Sequence, residues 1–517
     1  MVRNLLLSAV LNERPMSKVR GDKLKWWWVS AVIIVAISTR FGAITNPSGV
    51  FWDENFFVAA AQKYLHGVFF MEPHPPLGKL LIAGGEIMVG ENERSDHFLD
   101  TDYPGEAPES FSMFGYRFIP TLLGAGAGVI LYFIFLSILR NPAWSFALTS
   151  LYLFDNALTL HTRGALLEGP QIFFGFAMIL VFLKLRGLPS AAKSRGVALW
   201  AILGAFFGCG VATKLSSAIF LMLPAVALFQ GAEPRIARLK HALTFVVAAG
   251  VVYVSVWVAH FSLGREIRPS PQVGSGFYHA SPAYREALTT GAFSPVLDFG
   301  LAFRDHWRYF QSYERKVPSL NLCQPSEPGS YPLLWPIGAT PQAYRWKALD
   351  SDTWRMWYLV PNPFVWFFVL ASVVVGTSLL ISSVTLPSVK LQDRPLLVTL
   401  LGMYFGYMVV MLNIPRVMYI SHYLIPLCVG IVICGVVFRE LQCVGSRALS
   451  DSARSIIATA ILVFSVIGFS RYAPFTYGTP LTVQEIRERS LLSLWNLRCP
   501  SCPSRHPLAR PVGGTSR

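Results

Sequence analysis

Apolar runs of bilayer length recur along this chain and alternate with polar stretches of very unequal size. A helix needs roughly 20 consecutive apolar residues to cross a hydrocarbon core. Runs at 26–43, 119–139, 197–212, 215–229, 242–262, 364–381, 396–412, 425–438 and 455–469 approach or meet that length. Weaker runs at 144–160 and 172–185 bring the expected number of spans to about eleven. The first run is long, and no small-residue cleavage pattern follows it, so it reads as a retained span and not a signal peptide. The pattern predicts an all-α polytopic membrane protein.

Two polar segments, 44–113 and 264–360, are too long to be simple connections. In the first, Phe56, Phe57, Ala60 and Tyr64, with Gln62, Lys63 and His66 on other faces, predict a short amphipathic helix on the membrane surface. Pro75 and Pro76 break the chain, and Pro76 can open a second helix running through Ile87. That helix brings His74 and Lys79 near each other at its start. In the second segment, the aromatic patches Phe303–Trp307–Tyr309–Phe310 and Tyr331–Leu333–Leu334–Trp335–Pro336 read as a lid resting on headgroups. The chain thus divides into an N-terminal stretch (1–25), a transmembrane domain (26–474) and a Pro-, Ser- and Arg-rich tail (475–517) expected to be poorly ordered.

Composition agrees: 53% of residues are hydrophobic and only 14% charged, which excludes a soluble protein of this length. The net charge of +15 would fit nucleic-acid binding were the basic residues not gathered in alternate loops, at 3–25, 184–195, 235–240, 390–394 and 439–454. The loop at 44–113 is acidic instead. This is the positive-inside pattern, so the charge reports topology and no nucleic-acid partner is expected. The N-terminus is placed in the cytoplasm, the long loops outside, and an odd number of spans leaves the tail outside. Cys209, Cys428 and Cys434 fall in spans; Cys499 and Cys502 form a C-x-x-C with no second pair, read as an ordinary tail and not a zinc site.

The candidate chemistry lies at the outer interface. Asp53 and Glu54 follow the first span directly. Neighbours on a helix point about 100° apart, so one is expected to be catalytic and the other supporting, unless Asp53 is simply a helix cap. The positive-inside bias should deplete this side of cations, yet Arg40, Arg117, Arg163, Lys214 and Arg416 all lie there, with His74, Lys79 and His422. Such a cluster can neutralise a lipid phosphate, whereas any single member could equally be snorkelling or paired with the acidic loop. There is no P-loop, H-E-x-x-H, G-x-S-x-G or EF-hand pattern. An enzyme working there without nucleotides needs an activated substrate delivered on a lipid.

These residues resemble the protein O-mannosyltransferase family, membrane glycosyltransferases of the GT-C type that use polyprenyl-phosphate mannose. The resemblance rests on T-R-F at Thr39–Phe41, F-W-D-E at Phe51–Glu54, H-P-P-L-G-K at His74–Lys79 and Y-R-F-I-P at Tyr116–Pro120. It continues with D-N-A-L at Asp155–Leu158, R-x-x-L-L-E ending at Glu168, A-T-K at Ala212–Lys214, Y-P-L-L-W-P at Tyr331–Pro336 and R-V-M-Y-I-S-H-Y-L-I-P at Arg416–Pro426. It implies a GT-C fold of about eleven spans, Asp53 as catalytic base and Arg117 as a donor-phosphate ligand. The second long loop is too short for the MIR domain of eukaryotic members. A bacterial-type member in the plasma membrane, instead of the endoplasmic reticulum, is therefore expected, with its site on the external face.

The reaction so implied moves mannose to a Ser or Thr hydroxyl of an exported protein, with inversion. A lipid phosphate leaves as a stable anion, so one base and a set of cations suffice, unlike the two carboxyl groups of a glycosidase. Glu54 is expected to raise the basicity of Asp53 by like-charge repulsion. No cofactor is required, and a divalent ion near the carboxylates is compatible with the residues. Two other readings stay open: a sister lipid-carrier glycosyltransferase with another sugar or a glycolipid acceptor, and a transporter. The latter should carry ionisable groups at mid-bilayer, and here they gather at one interface.

Overall fold

The computed structural model describes residues 18–497, apart from 93–95, 100–107, 189–192, 231–233, 268–275, 324–326, 328, 442, 445–446 and 496. Cys499 and Cys502 lie outside the described residues. The helices in chain order are α1 (Lys18–Phe41), α2 (Glu54–Leu65), α3 (Leu77–Val89), α4 (Phe114–Leu139), α5 (Pro142–Leu153), α6 (Asn156–Thr162), α7 (Glu168–Arg186) and α8 (Lys193–Thr213). A 3₁₀ turn then leads into α9 (Met222–Gln230), α10 (Arg235–Leu263), α11 (Pro282–Thr289) and α12 (Phe299–Lys316). The last are α13 (Pro363–Thr385), α14 (Arg394–Leu412), α15 (Leu424–Glu440), α16 (Asp451–Tyr477) and α17 (Val483–Glu488).

Among the described residues, eight helices are long and apolar enough to cross a membrane, and Trp26–Phe41 and Leu215–Gln230 are shorter apolar helices. The run at 144–160 is not a single span. It breaks between α5 and α6, where Asp155 takes the N-cap of α6 and accepts from the Leu158 amide at 2.8 Å. Asp155 also accepts from the Trp366 indole at 2.9 Å, so a carboxylate inside an apolar run is satisfied by tying α6 to α13.

Helix α15 is apolar all round and buried at every residue except Arg439, as a central helix must be. Helix α10 is the opposite: among its residues His241, Phe245, Trp257, His260 and Phe261 are buried, one side packs on α8, and apolar residues such as Leu243, Val247 and Val251 are exposed, as lipid contact requires. Helices α1, α3, α5 and α7 pack around α4.

The long loops depart most from expectation. Helix α2 does not lie on a membrane surface: Gln62 and Lys63 are buried along with Phe57, Ala60 and Tyr64, so polar and apolar faces are both enclosed. Helix α3 starts at Leu77, and Lys79 Nζ donates to the His74 carbonyl at 3.3 Å, so the expected proximity of these two residues is met.

The second loop holds strands, which the all-helical reading did not foresee. Strand β1 (Gln342–Ala348) pairs antiparallel with β2 (Thr353–Leu359), and β2 pairs with β3 (Leu481–Thr482) from the tail. Trp354, Met356 and Tyr358 pack with Tyr472, Phe475, Ile486 and Trp495 in a separate apolar cluster. Residues 478–495 are therefore folded, contrary to the expectation drawn from their composition. Trp335 is fully buried, donating its indole N–H to Ser330 Oγ at 2.8 Å, so that patch is not a flat headgroup contact; Tyr331 and Leu333 remain exposed.

Candidate active site

The chain enters the site through a strained turn. Trp52 has φ +50°, a left-handed conformation uncommon for a bulky residue, and Asp53 follows at the N-cap of α2. Asp53 makes no side-chain cap hydrogen bond, which removes the simple capping reading. Its carboxylate is half-buried and makes no hydrogen bond within the described residues.

Glu54 is in the reverse situation. It is fully buried, and its Oε1 accepts from Arg117 Nε at 2.8 Å and from the Ala165 amide at 2.7 Å. Its Oε2 accepts from Arg117 Nη2 at 2.7 Å and from the Phe51 amide at 3.0 Å. Gly164 allows this close approach, since a Cβ there would lie 2.8 Å from the Phe51 ring.

The expected cation cluster divides in two. Arg117 uses its remaining N–H groups on the carbonyls of Ile44 (2.9 Å), Pro47 (2.8 Å) and Gly49 (3.0 Å), so all five are engaged and none is left for a phosphate. Arg163 donates to the carbonyls of Thr476 and Gly42, each at 2.8 Å, and to that of Ala43. Arg40 donates to the Tyr152 carbonyl at 3.1 Å and stacks over the Tyr152 ring. All three guanidinium groups are buried and tie loop backbone to helix ends. The phosphate contact expected of Arg117 does not fit this geometry.

Lys214 and Arg416 differ: their side chains are 19% and 22% exposed. Lys214 Nζ lies 2.5 Å from Glu168 Oε1, and Arg416 Nη1 lies 3.2 Å from Glu314 Oε1 on α12. Both act electrostatically on Asp53, His74 and His422, so the start of α2, the Lys214 turn and the segment before α15 lie close enough to form one charged site. His422 Nδ1 lies 3.0 Å from the Tyr419 carbonyl, and its ring stacks near Trp335. Lys79 is paired with Glu72 and buried, so it is not one of the partly exposed cations.

Asp53 has its pKa pushed up to about 6, first by burial and then by the Glu168 charge, against the opposing pull of Lys214, His161 and Arg416. The repelling carboxylate is thus Glu168 and not Glu54, whose charge Arg117 neutralises. Burial, with Lys79, Lys214 and Arg416 nearby, holds His74 well below the ordinary imidazole range, so it is neutral at pH 7. Among the described residues no set of three or more His, Cys, Asp or Glu side chains converges as a metal site.

Three residues at the site escaped sequence reasoning about its chemistry. His161 Nε2 lies 2.7 Å from Glu168 Oε2, and its Nδ1 contacts the Tyr344 hydroxyl. Glu168 was legible only as part of a motif, His161 sits inside an apolar run, and Tyr344 comes from a strand nearly 300 residues from Asp53.

The helical membrane bundle has the GT-C glycosyltransferase fold, as its structural neighbours show. The S. cerevisiae protein O-mannosyltransferase Pmt1-Pmt2 complex, solved bound to the sugar donor, superposes with a TM-score of 0.76 at 15% identity, over 95% of this chain and 94% of that one. The Archaeoglobus fulgidus oligosaccharyltransferase gives 0.50 at 13% identity, over 90% of this chain and 58% of that one.

The chain belongs to the protein O-mannosyltransferase family. The profile for dolichyl-phosphate-mannose-protein mannosyltransferase matches residues 30–232, and that for the C-terminal four-transmembrane region of protein O-mannosyltransferase matches residues 306–495. Dolichyl-phosphate-mannose–protein mannosyltransferase 1 of Candida albicans is 31% identical over 161 residues, 31% of this chain and 18% of that protein. Protein O-mannosyl-transferase 2 of Drosophila melanogaster is 26% identical over 281 residues, 51% of this chain and 35% of that protein. The matched stretches therefore span well under half the length of these relatives.

Proposed function

We propose that this chain transfers mannose from polyprenyl-phosphate mannose to Ser or Thr hydroxyls of exported proteins, at the external face of the membrane and with inversion. The observation that carries this reading is the Asp53 carboxylate, without a hydrogen-bond partner among the described residues and within electrostatic reach of Lys214 and Arg416. Asp53 takes the proton of the acceptor hydroxyl as its oxygen bonds to C1 of the sugar. The bond from C1 to the phosphate oxygen breaks, and the lipid phosphate leaves as an anion between Lys214 and Arg416. A carboxylate raised to about 6 is a better match to this task than one at the unperturbed value near 3.9. Its proton affinity remains far below that of an alkoxide, so proton removal is concerted with C–O bond formation. His74, neutral, and His422, whose Nδ1 is taken by the Tyr419 carbonyl, are available to hydrogen-bond the sugar or the phosphate.

Glu54, Arg117, Arg163 and Arg40 are assigned to holding this constellation, and Lys79 to fixing the His74 turn through Glu72. The relatives named as mannosyltransferases, and the yeast complex bound to the sugar donor, support the choice of sugar and carrier. The test is transfer of radiolabelled mannose from a synthetic polyprenyl phosphate to a Ser/Thr peptide by the purified chain. Labelled peptide is expected with mannosyl donor. Transfer only from a different sugar donor, or only to a glycolipid, would replace this reading with the sister glycosyltransferase.

A further inference from the structure

Strand β1 carries an irregularity at the residue closest to the chemistry. Ala343 pairs with Tyr358 and Arg345 with Trp357, so Tyr344 is the extra residue of a β-bulge. Bulges release a backbone group from the ladder and re-aim a side chain, and they gather beside active sites. Here the released carbonyl accepts from the Trp52 amide at 3.3 Å. The Tyr344 ring stacks on Phe51 (5.5 Å between centroids, 18° between planes) and on Trp52 (5.4 Å, 17°). Next to it, Arg345 Nη1 donates to the Val50 carbonyl at 2.8 Å. Residues 50–52, ending in the strained Trp52, are thereby held from one side by the second external loop.

The hydroxyl of Tyr344 has a separate partner. It meets His161 Nδ1, while His161 Nε2 faces Glu168 Oε2 at 2.7 Å, and Glu168 Oε1 faces Lys214 Nζ at 2.5 Å. The Tyr344 hydroxyl and His161 Nδ1 form a buried hydrogen bond whose donor is set by the state of the ring. One side chain touches both halves of the site: the turn bearing the base by its ring and backbone, and the cation by way of His161 and Glu168.

We propose that Tyr344 is a positioning residue for the transfer reaction, its ring aiming Asp53 through the Trp52 turn and its hydroxyl fixing Lys214 through His161 and Glu168. This inference rests on the mannosyl-transfer reading above. It makes the second external loop part of the catalytic apparatus, and it predicts that the two halves separate kinetically. Tyr344→Phe keeps the stacking and loses the hydroxyl; it should raise the donor KM with kcat little changed. Tyr344→Leu keeps an apolar side chain, but loses the stacking as well. A displacement near 1 Å at a reacting group costs about 10²-fold, so kcat should fall by about that factor in Y344L, beyond any rise in KM.

The experiment is steady-state transfer of labelled mannose to peptide by the purified full chain, normalised to folded enzyme, for wild type, Y344F, Y344L, D53N and D53N/Y344L. Residues acting through one step are strongly non-additive. Y344L should therefore add little further kcat loss once Asp53 is gone. Equal kcat in Y344L and wild type, or losses that multiply in the double variant, overturn the aiming role. An unchanged donor KM in Y344F overturns the hydroxyl role, and this variant decides even should Y344L not fold. Full activity in D53N would instead overturn the functional reading itself.

Discussion

Asp53 and Glu54 leave the same turn and meet opposite surroundings. Glu54 is enclosed, accepts four hydrogen bonds and has a bidentate arginine. Asp53 is half-open and makes none among the described residues, with its proton affinity raised by burial and by Glu168. The cations divide in the same way: Arg117 is saturated, and Arg163 and Arg40 are buried with backbone carbonyls as partners, whereas Lys214 and Arg416 are partly exposed and each face one carboxylate. A buried charge with every hydrogen-bonding group matched is architecture, because moving it strands a partner. A charge left partly unmatched beside a cavity is free to meet a substrate. The position of a charged residue near a membrane edge does not by itself distinguish these cases.

The closed side should respond in stability. Removing one partner of a buried ion pair strands the other at a cost of about 3–5 kcal/mol. Arg117→Ala should therefore lower the unfolding midpoint and the folded yield sharply, measured by thermal unfolding in detergent. A donor KM that rises without loss of stability would instead return Arg117 to the phosphate site.

Much of this contrast was hidden in the sequence for a physical reason. Hydropathy reports which segments prefer lipid, and it located the helices and both long loops. The Asp53–Glu54 pair and the outer cations were also legible, because the positive-inside rule makes cations there conspicuous. What hydropathy cannot report is which cation meets carbonyls and which meets a cavity. Those partners come from far along the chain: Arg163 is satisfied by Thr476, and the Asp53 turn is held by Tyr344. The break at Asp155 was missed because one polar residue hardly lowers a window average. Strands β1 and β2 were missed because their aromatic residues equally suit a membrane interface.

The open side should respond in kinetics. Arg416→Ala should raise the donor KM about tenfold, the scale of one charge-assisted hydrogen bond, with little change in thermal stability; Lys at that position should restore it only in part. An unchanged KM would remove Arg416 from the phosphate.

The proton affinity of Asp53 sets a pH limb. The base must be ionised, so kcat should be constant above about pH 7 and fall roughly tenfold per unit below the pKa of about 6. A limb near 4 would mean that the carboxylate is solvated in the working enzyme.

The smallest effect expected is at the Arg416–Glu314 pair. Glu314 competes with the donor phosphate for Arg416 across a partly exposed pair, and such pairs contribute about 0.2–1 kcal/mol. Glu314→Gln should lower the donor KM by less than about fivefold; an increase would show that Glu314 assists binding.

The difference between the two carboxylates is tested most directly at Asp53 itself. The measurement is kcat for mannosyl transfer by Asp53→Asn at saturating donor, normalised to folded protein, alongside its unfolding midpoint. Loss of a general base costs about 10²–10⁴-fold, and among the described residues the Asp53 carboxylate makes no hydrogen bond whose loss would loosen the fold. The prediction is therefore a kcat lowered by about that factor at an unchanged unfolding midpoint. A kcat within a few-fold of wild type, or a rate loss matched by a comparable loss of stability, would contradict the assignment of Asp53 as the working carboxylate.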